Sequence, residues 1–172
     1  GAFGTGYCSE ILIAQTWNED LAAKAGEGIS KEFNDFNITG WYAPSMNLHR
    51  SAFGGRNFEY YSEDSLLSSK MALAEVEAAV EQGIYPYIKH FVMNEQETNR
   101  NALLCTWFNE QSARELYLKP FEYCVKNTPS GKLALMSSYN YLGTEWAGGS
   151  TVLLKDILRG EWGFEGMVIS DY

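Results

Sequence analysis

Residues 160–172 read "GEWGFEGMVISDY", and their last seven positions decide the fold. Met167, Val168 and Ile169 form a short apolar, β-branched run of the kind seen in a strand buried on both faces. That run delivers Asp171 at its carboxyl end. A carboxylate there is either structural or chemical, and the choice depends on the sheet to which the strand belongs.

Upstream, the hydrophobic period alternates between helix and strand. Thr151 to Arg159 carry a helical pattern that Gly160 is expected to close, and "KLALMSS" at 132–138 reads as the preceding strand. Asn109 opens another helix, with Ala113, Leu116, Tyr117, Phe121, Cys124 and Val125 as its apolar stripe and a kink expected at Pro120. "YPYIKHF" at 85–91 is a strand that tolerates Pro86 only near its beginning, because a central ladder needs every N–H. Asp64 to Gln82 repeat Leu67, Met71, Ala74 and Ala78 at helical spacing until Gly83 stops them. Before these lie an extended run, Trp41 to Ala43, and a helix capped by Asn18, with Leu21, Ala25, Ile29 and Phe33 on one face.

The resulting order, α-β-α-β-α-β-α-β, predicts an α/β fold of about four βα units with parallel strands joined by right-handed crossovers. An open doubly wound sheet and a partial (β/α)8 barrel both fit it. Neither "GGRNFE" nor "GAFGTG" joins a strand to a helix N-terminus as a dinucleotide-binding loop does. Four strands are half of an eight-stranded barrel, so on the barrel reading residues 1–172 are one segment of a larger catalytic domain, incomplete at both ends.

Composition narrows the function. With 45% apolar and 15% aromatic residues the chain has the content of a packed core, and its formal charge of −9 disfavours a nucleic-acid partner. No apolar stretch reaches membrane-spanning length. The start "GAFGTGYCSE" has neither Met nor a signal-peptide layout, so the N-terminus reads as cut and the cytoplasm is the favoured compartment. Cys8, Cys105 and Cys124 are odd in number and widely spaced, which points to buried free thiols rather than disulfides or a metal site. No cofactor motif is present.

In parallel α/β folds chemistry gathers at the carboxyl ends of the strands. Here those ends carry Asn47, His49, Arg50 and Arg56, then Lys89 and His90, then Ser138, Tyr139 and Asn140, and last Asp171. Each has a plainer reading. Lys89 can be a salt-bridged lysine, His90 a core histidine, Tyr139 a core aromatic, and Arg56 a structural bridge to Glu59 or Asp64. The planar donor fork of Arg56, held beside the flexible backbone of Gly54 and Gly55, equally suits vicinal oxygens.

Five blocks in this order resemble the family 3 glycoside hydrolases, the β-glucosidase family: "APSMNLHRSAFGGRNFEYYSED" (43–64), "YIKHFVMNEQETNR" (87–100), "LYLKPFEYCV" (116–125), "ALMSSYN" (134–140) and "LLKDILRGEWGFEGMVISDY" (153–172). The resemblance implies a (β/α)8-type barrel in a retaining, exo-acting enzyme that releases terminal β-linked glucose through a covalent glycosyl-aspartate. It implies Asp171 as nucleophile, Arg56, Lys89, His90 and Arg100 as binders of sugar hydroxyls, and Tyr139 hydrogen-bonding near the nucleophile. It also implies a non-proline cis peptide within Lys89-His90-Phe91.

Tyr172 stands where many members have tryptophan. The acid/base carboxyl that retention requires matches nothing in the chain, and Glu95 and Glu97 lie outside the family's acid/base block. The expected partners are therefore a β-glucoside or oligosaccharide and the rest of the parent enzyme, or a second copy of the half-barrel. The alternatives are an inactive fragment that binds sugar or serves as a scaffold, and a Schiff-base enzyme using Lys89.

Overall fold

The structure, a computed structural model, describes residues 4–172; Gly1, Ala2 and Phe3, which begin the Gly-rich start, lie outside them. Four strands form the main sheet: β1 (Gly40–Trp41), β2 (Tyr85–Phe91), β4 (Ala134–Ser137) and β7 (Val168–Ser170). Every pair is parallel, with Gly40 opposite Tyr85, Ile88 opposite Leu135, and Ser137 opposite Ser170. Neighbours follow chain order, β1-β2-β4-β7, without reversal. A doubly wound sheet reverses at its switch point, whereas a barrel adds each strand on the same side, so this order selects the half-barrel.

Helices cover one face. α2 (Glu19–Asp35) is capped by Asn18, which accepts from the Leu21 N–H, and α3 (Ser65–Glu81) by Asp64, which accepts from the Leu67 N–H at 2.7 Å. Gly83, at φ 82°, turns the chain from α3 into β2 in the left-handed region that glycine enters without penalty. Gly26 serves a different purpose: a Cβ there would lie 2.7 Å from the carbonyl oxygen of Glu75, so its absence sets the α2–α3 distance. Met71, Val76, Ile88, Phe91, Phe121, Cys124, Leu135 and Leu158 fill the core between helices and sheet.

Several elements differ from the sequence reading. A short helix, α1 (Glu10–Ala14), precedes the first expected one. In α2 the buried side chains are Ala22, Gly26 and Ser30, while Leu21 is 45% exposed. The third helix is divided into α4 (Glu110–Ser112), a π turn (Ala113–Tyr117) and α5 (Lys119–Asn127). Pro120 therefore sits in the first turn of α5, where its missing N–H costs nothing, and does not kink a continuous helix. The last helix is π-wound, spans Val152–Glu161 and runs through Gly160; the left-handed glycine is Gly163, at φ 72°. Cys8 and Cys105 are exposed and only Cys124 is buried, which corrects the expectation of three buried thiols. A second small sheet of β3 (Cys105–Thr106), β5 (Tyr141–Leu142) and β6 (Glu145–Trp146) decorates the loops beyond the strand ends.

Candidate active site

At the end of β2 the ladder breaks register between Ile88 and Phe91, and the Lys89–His90 bond, inside the expected span, is cis. So is Phe91–Val92. The loop beyond β4 holds this segment. Ser138 Oγ and Asn140 Nδ2 both donate to the Val92 carbonyl, at 3.0 and 3.1 Å, and Ser138 N donates to Phe91 O.

The buried Asn47, from the loop after β1, fixes His90 on three sides. Its Oδ1 accepts from the His90 backbone N–H at 2.8 Å and lies 3.2 Å from Nδ1, while its Nδ2 donates to the His90 carbonyl at 3.0 Å. The donation by Nδ2 settles the amide orientation, so Oδ1 receives the Nδ1 proton and Nε2 keeps a free lone pair. Burial, reinforced by the positive charges of Arg56, Lys89 and Arg100, holds His90 well below the usual histidine range. It is therefore neutral.

Asp171 follows β7, its N–H donating to Ser137 O at 3.1 Å, and its side chain is 13% exposed. One oxygen, Oδ2, accepts from Arg100 Nη1 at 3.1 Å and lies 3.9 Å from His90 Nε2; Oδ1 accepts from the Tyr172 N–H at 2.9 Å. Because His90 is neutral, that approach is no ion pair. Arg100 is itself clamped: its Nε lies 3.3 Å from Glu97 Oε2, and its guanidinium rests 4.8 Å from the centre of the Tyr139 ring. Tyr139 thus meets Arg100, the neighbour of Asp171, through its ring face.

On the other side of His90, Glu59 gathers the remaining cations. It accepts from Arg56 Nε, lies 3.7 Å from Lys89 Nζ, and accepts from Ser45 Oγ at 2.8 Å. The six residues to which the family resemblance gives roles thus form one continuous line, Arg56-(Glu59)-Lys89-His90-Asp171-Arg100-Tyr139. His49 stands apart, its Nε2 between the carbonyls of Asn57 and Tyr60. Sequence reasoning treated Glu59 only as a bridge that would cost Arg56 its role, and it gave Asn47 no part in orienting His90. The Glu59 offset, three residues after Arg56, was the available signal.

Carboxyl groups behind the line are strongly perturbed. Burial pushes Glu75 up to about 8 and Glu10 up to about 7, in each case with a neighbouring acid adding to it. Among the described residues no group of three or more His, Cys, Asp or Glu is arranged to hold a metal ion. A groove of about 890 Å³ between residues 50–55 and 93–107 is lined by none of the residues in the line and touches it only through Glu97, the partner of Arg100. The charged side chains mark the chemistry here and the volume does not.

The strand ends of the half-barrel thus bring a held carboxylate, a neutral histidine and three cations together. Residues 2–172 match the glycosyl hydrolase family 3 N terminal domain, and the chain belongs to that family. It is 41% identical over its whole length to beta-glucosidase A of Butyrivibrio fibrisolvens and covers 20% of that protein. The structure of beta-glucosidase 3B from Thermotoga neapolitana in complex with glucose superposes with a TM-score of 0.94 at 43% identity, over 98% of this chain and 23% of that one. An exo-alpha-(1->6)-L-arabinopyranosidase of Bifidobacterium longum is 35% identical over 93% of the chain, which covers 21% of it. The chain therefore spans about a fifth of the length of such relatives.

Proposed function

We propose that this chain carries the nucleophile and the sugar-gripping rim of a retaining β-glycosidase that removes a terminal β-linked glucose. The observation that supports this best is Asp171, aimed from the end of β7 and held by Arg100 at 3.1 Å beside the neutral His90. An ionised Asp171 attacks the anomeric carbon as the bond to the leaving oxygen breaks, and the sugar is left as an ester on Asp171. The proton for that oxygen comes from a second carboxyl that is not among the residues grouped here. Water then cleaves the ester, losing its proton to the same group.

Arg56 and Lys89 donate to sugar hydroxyls, and His90 Nε2 accepts a hydroxyl proton. Cationic donors alone cannot orient a sugar; an acceptor at a known place fixes which way its hydroxyls point. Family membership leaves the sugar open, since an arabinopyranosidase shares it. Glucose is favoured because the more similar relatives are named β-glucosidases. The Schiff-base alternative is disfavoured by the Lys89–Glu59 ion pair, which suits a hydroxyl-binding cation better than an amine nucleophile.

The test is Asp171→Gly in the full-length protein. Hydrolysis of an aryl β-glucoside should fall by about 10³-fold or more. Added azide should restore turnover and yield the α-glucosyl azide, since the small anion attacks from the face that the carboxylate vacated. Undiminished hydrolysis, or a β-azide product, would remove the nucleophile from this residue.

A further inference from the structure

Among the described residues, Glu59 is the carboxylate that contacts both Arg56 and Lys89. It ends a 3-10 turn, Asn57–Glu59, that begins right after Arg56, and its partners come from three segments: Ser45 beyond β1, Arg56 in the loop, and Lys89 on β2. The side chains of Arg56, Glu59 and Lys89 are each less than a fifth exposed. Burial pushes the Glu59 carboxyl up, but hydrogen bonds from Arg56 and Ser45, with the two cations, outweigh it and hold Glu59 below the usual range. It is thus a fixed negative charge.

Two cations that must grip one sugar repel each other, and each has a long, rotatable stem. Glu59 answers both difficulties by dividing its oxygens. Oε1 takes the Arg56 Nε proton, and Oε2 faces Lys89 with Ser45 Oγ locking its position. Because Arg56 meets Glu59 through Nε, its two terminal nitrogens make no hydrogen bond among the described residues and can serve as a fork for vicinal hydroxyls. Lys89, at 3.7 Å, is held without a close hydrogen bond that would use up its donors.

We infer that Glu59 is a positioning residue for the substrate: its carboxylate sets the spacing and angle of Arg56 and Lys89 so that together they read the hydroxyls of the terminal sugar. This rests on the glycosidase reading above and extends it to a residue that itself need not touch the sugar.

The experiment is a cycle between protein and substrate in the full-length protein. The kcat/KM of wild type and of Glu59→Gln is measured on an aryl β-glucoside and on its 3-deoxy, 4-deoxy and 6-deoxy analogues. Glu59→Gln should cost about 10- to 100-fold on the parent glucoside, the loss expected when charged donors are misplaced. On at least one deoxy analogue, the one lacking a hydroxyl that Arg56 or Lys89 reads, the cost should shrink to about threefold or less. Equal losses on all four substrates would mean a merely structural role, and no loss on any would mean no role; either overturns the inference. If Glu59→Gln fails to fold, Ser45→Ala, which removes only the lock on Oε2, should show the same selectivity at smaller size, and equal losses there count against it equally. Should wild type hydrolyse none of the four, the glycosidase reading itself fails, a result distinct from any of these.

Discussion

Asn47 decides which nitrogen of His90 faces Asp171, so removing it should be felt in both catalysis and stability. Asn47→Ala leaves the buried His90 N–H and Nδ1 without their acceptor and should destabilise the fold by about 1–3 kcal/mol by denaturant titration. In the full-length protein kcat/KM should fall at least tenfold. His90 itself titrates below the ordinary histidine range, so nitrogen NMR should find it neutral and protonated on Nδ1 at pH 6. An imidazolium signal at that pH would contradict the neutral state, and a neutral ring protonated on Nε2 would contradict the tautomer. At this scale the sequence revealed residue types but not their pairing. Lys89, His90 and Asp171 announce themselves by ending strands. The hold of Asn47 on His90, 43 positions away, depends on loop geometry that no periodicity encodes.

Helix α3 carries Glu75 inside the core, 1% exposed, against α2 at Gly26. The folded-state values of about 8 for Glu75 and about 7 for Glu10 lie above the ordinary glutamate value of about 4.3. Between those limits the folded chain binds more protons than the unfolded one, so this pair makes the fold less stable as pH rises from about 4.3 to about 8. Glu75→Gln should therefore raise the melting temperature by several degrees at pH 8 and change it little at pH 5. Gly26→Ala should do the reverse, forcing α2 off the Glu75 carbonyl at a cost of about 1–3 kcal/mol at any pH. Helices with strong caps were legible, as Asn18 and Asp64 show. The π-wound segments were not, because the extra residue per turn leaves an apolar stripe that still passes for an ordinary helix. Likewise Leu21 fits the apolar face by type, yet the close α2–α3 approach selects the smaller Ala22, Gly26 and Ser30.

At the scale of the whole molecule, alternating elements gave α/β, but only the unreversed order β1-β2-β4-β7 separates a half-barrel from a doubly wound sheet. That half-barrel ends in two sheet edges, β1 and β7, and bares a face of tyrosines on which Tyr42, Tyr87 and Tyr172 meet. Produced as these 172 residues alone, the chain should associate with itself in a concentration-dependent way, visible by sedimentation. It should also leave natural glycosides almost untouched, since the general acid whose contribution is about 10²–10⁴-fold is not among its grouped residues. The full-length protein is where the central claim is tested most directly. Treated with a 2-deoxy-2-fluoroglucoside bearing a good leaving group, it should accumulate a covalent adduct whose peptide map places the sugar ester on Asp171. An adduct on any other carboxylate, or on Lys89, would contradict the account.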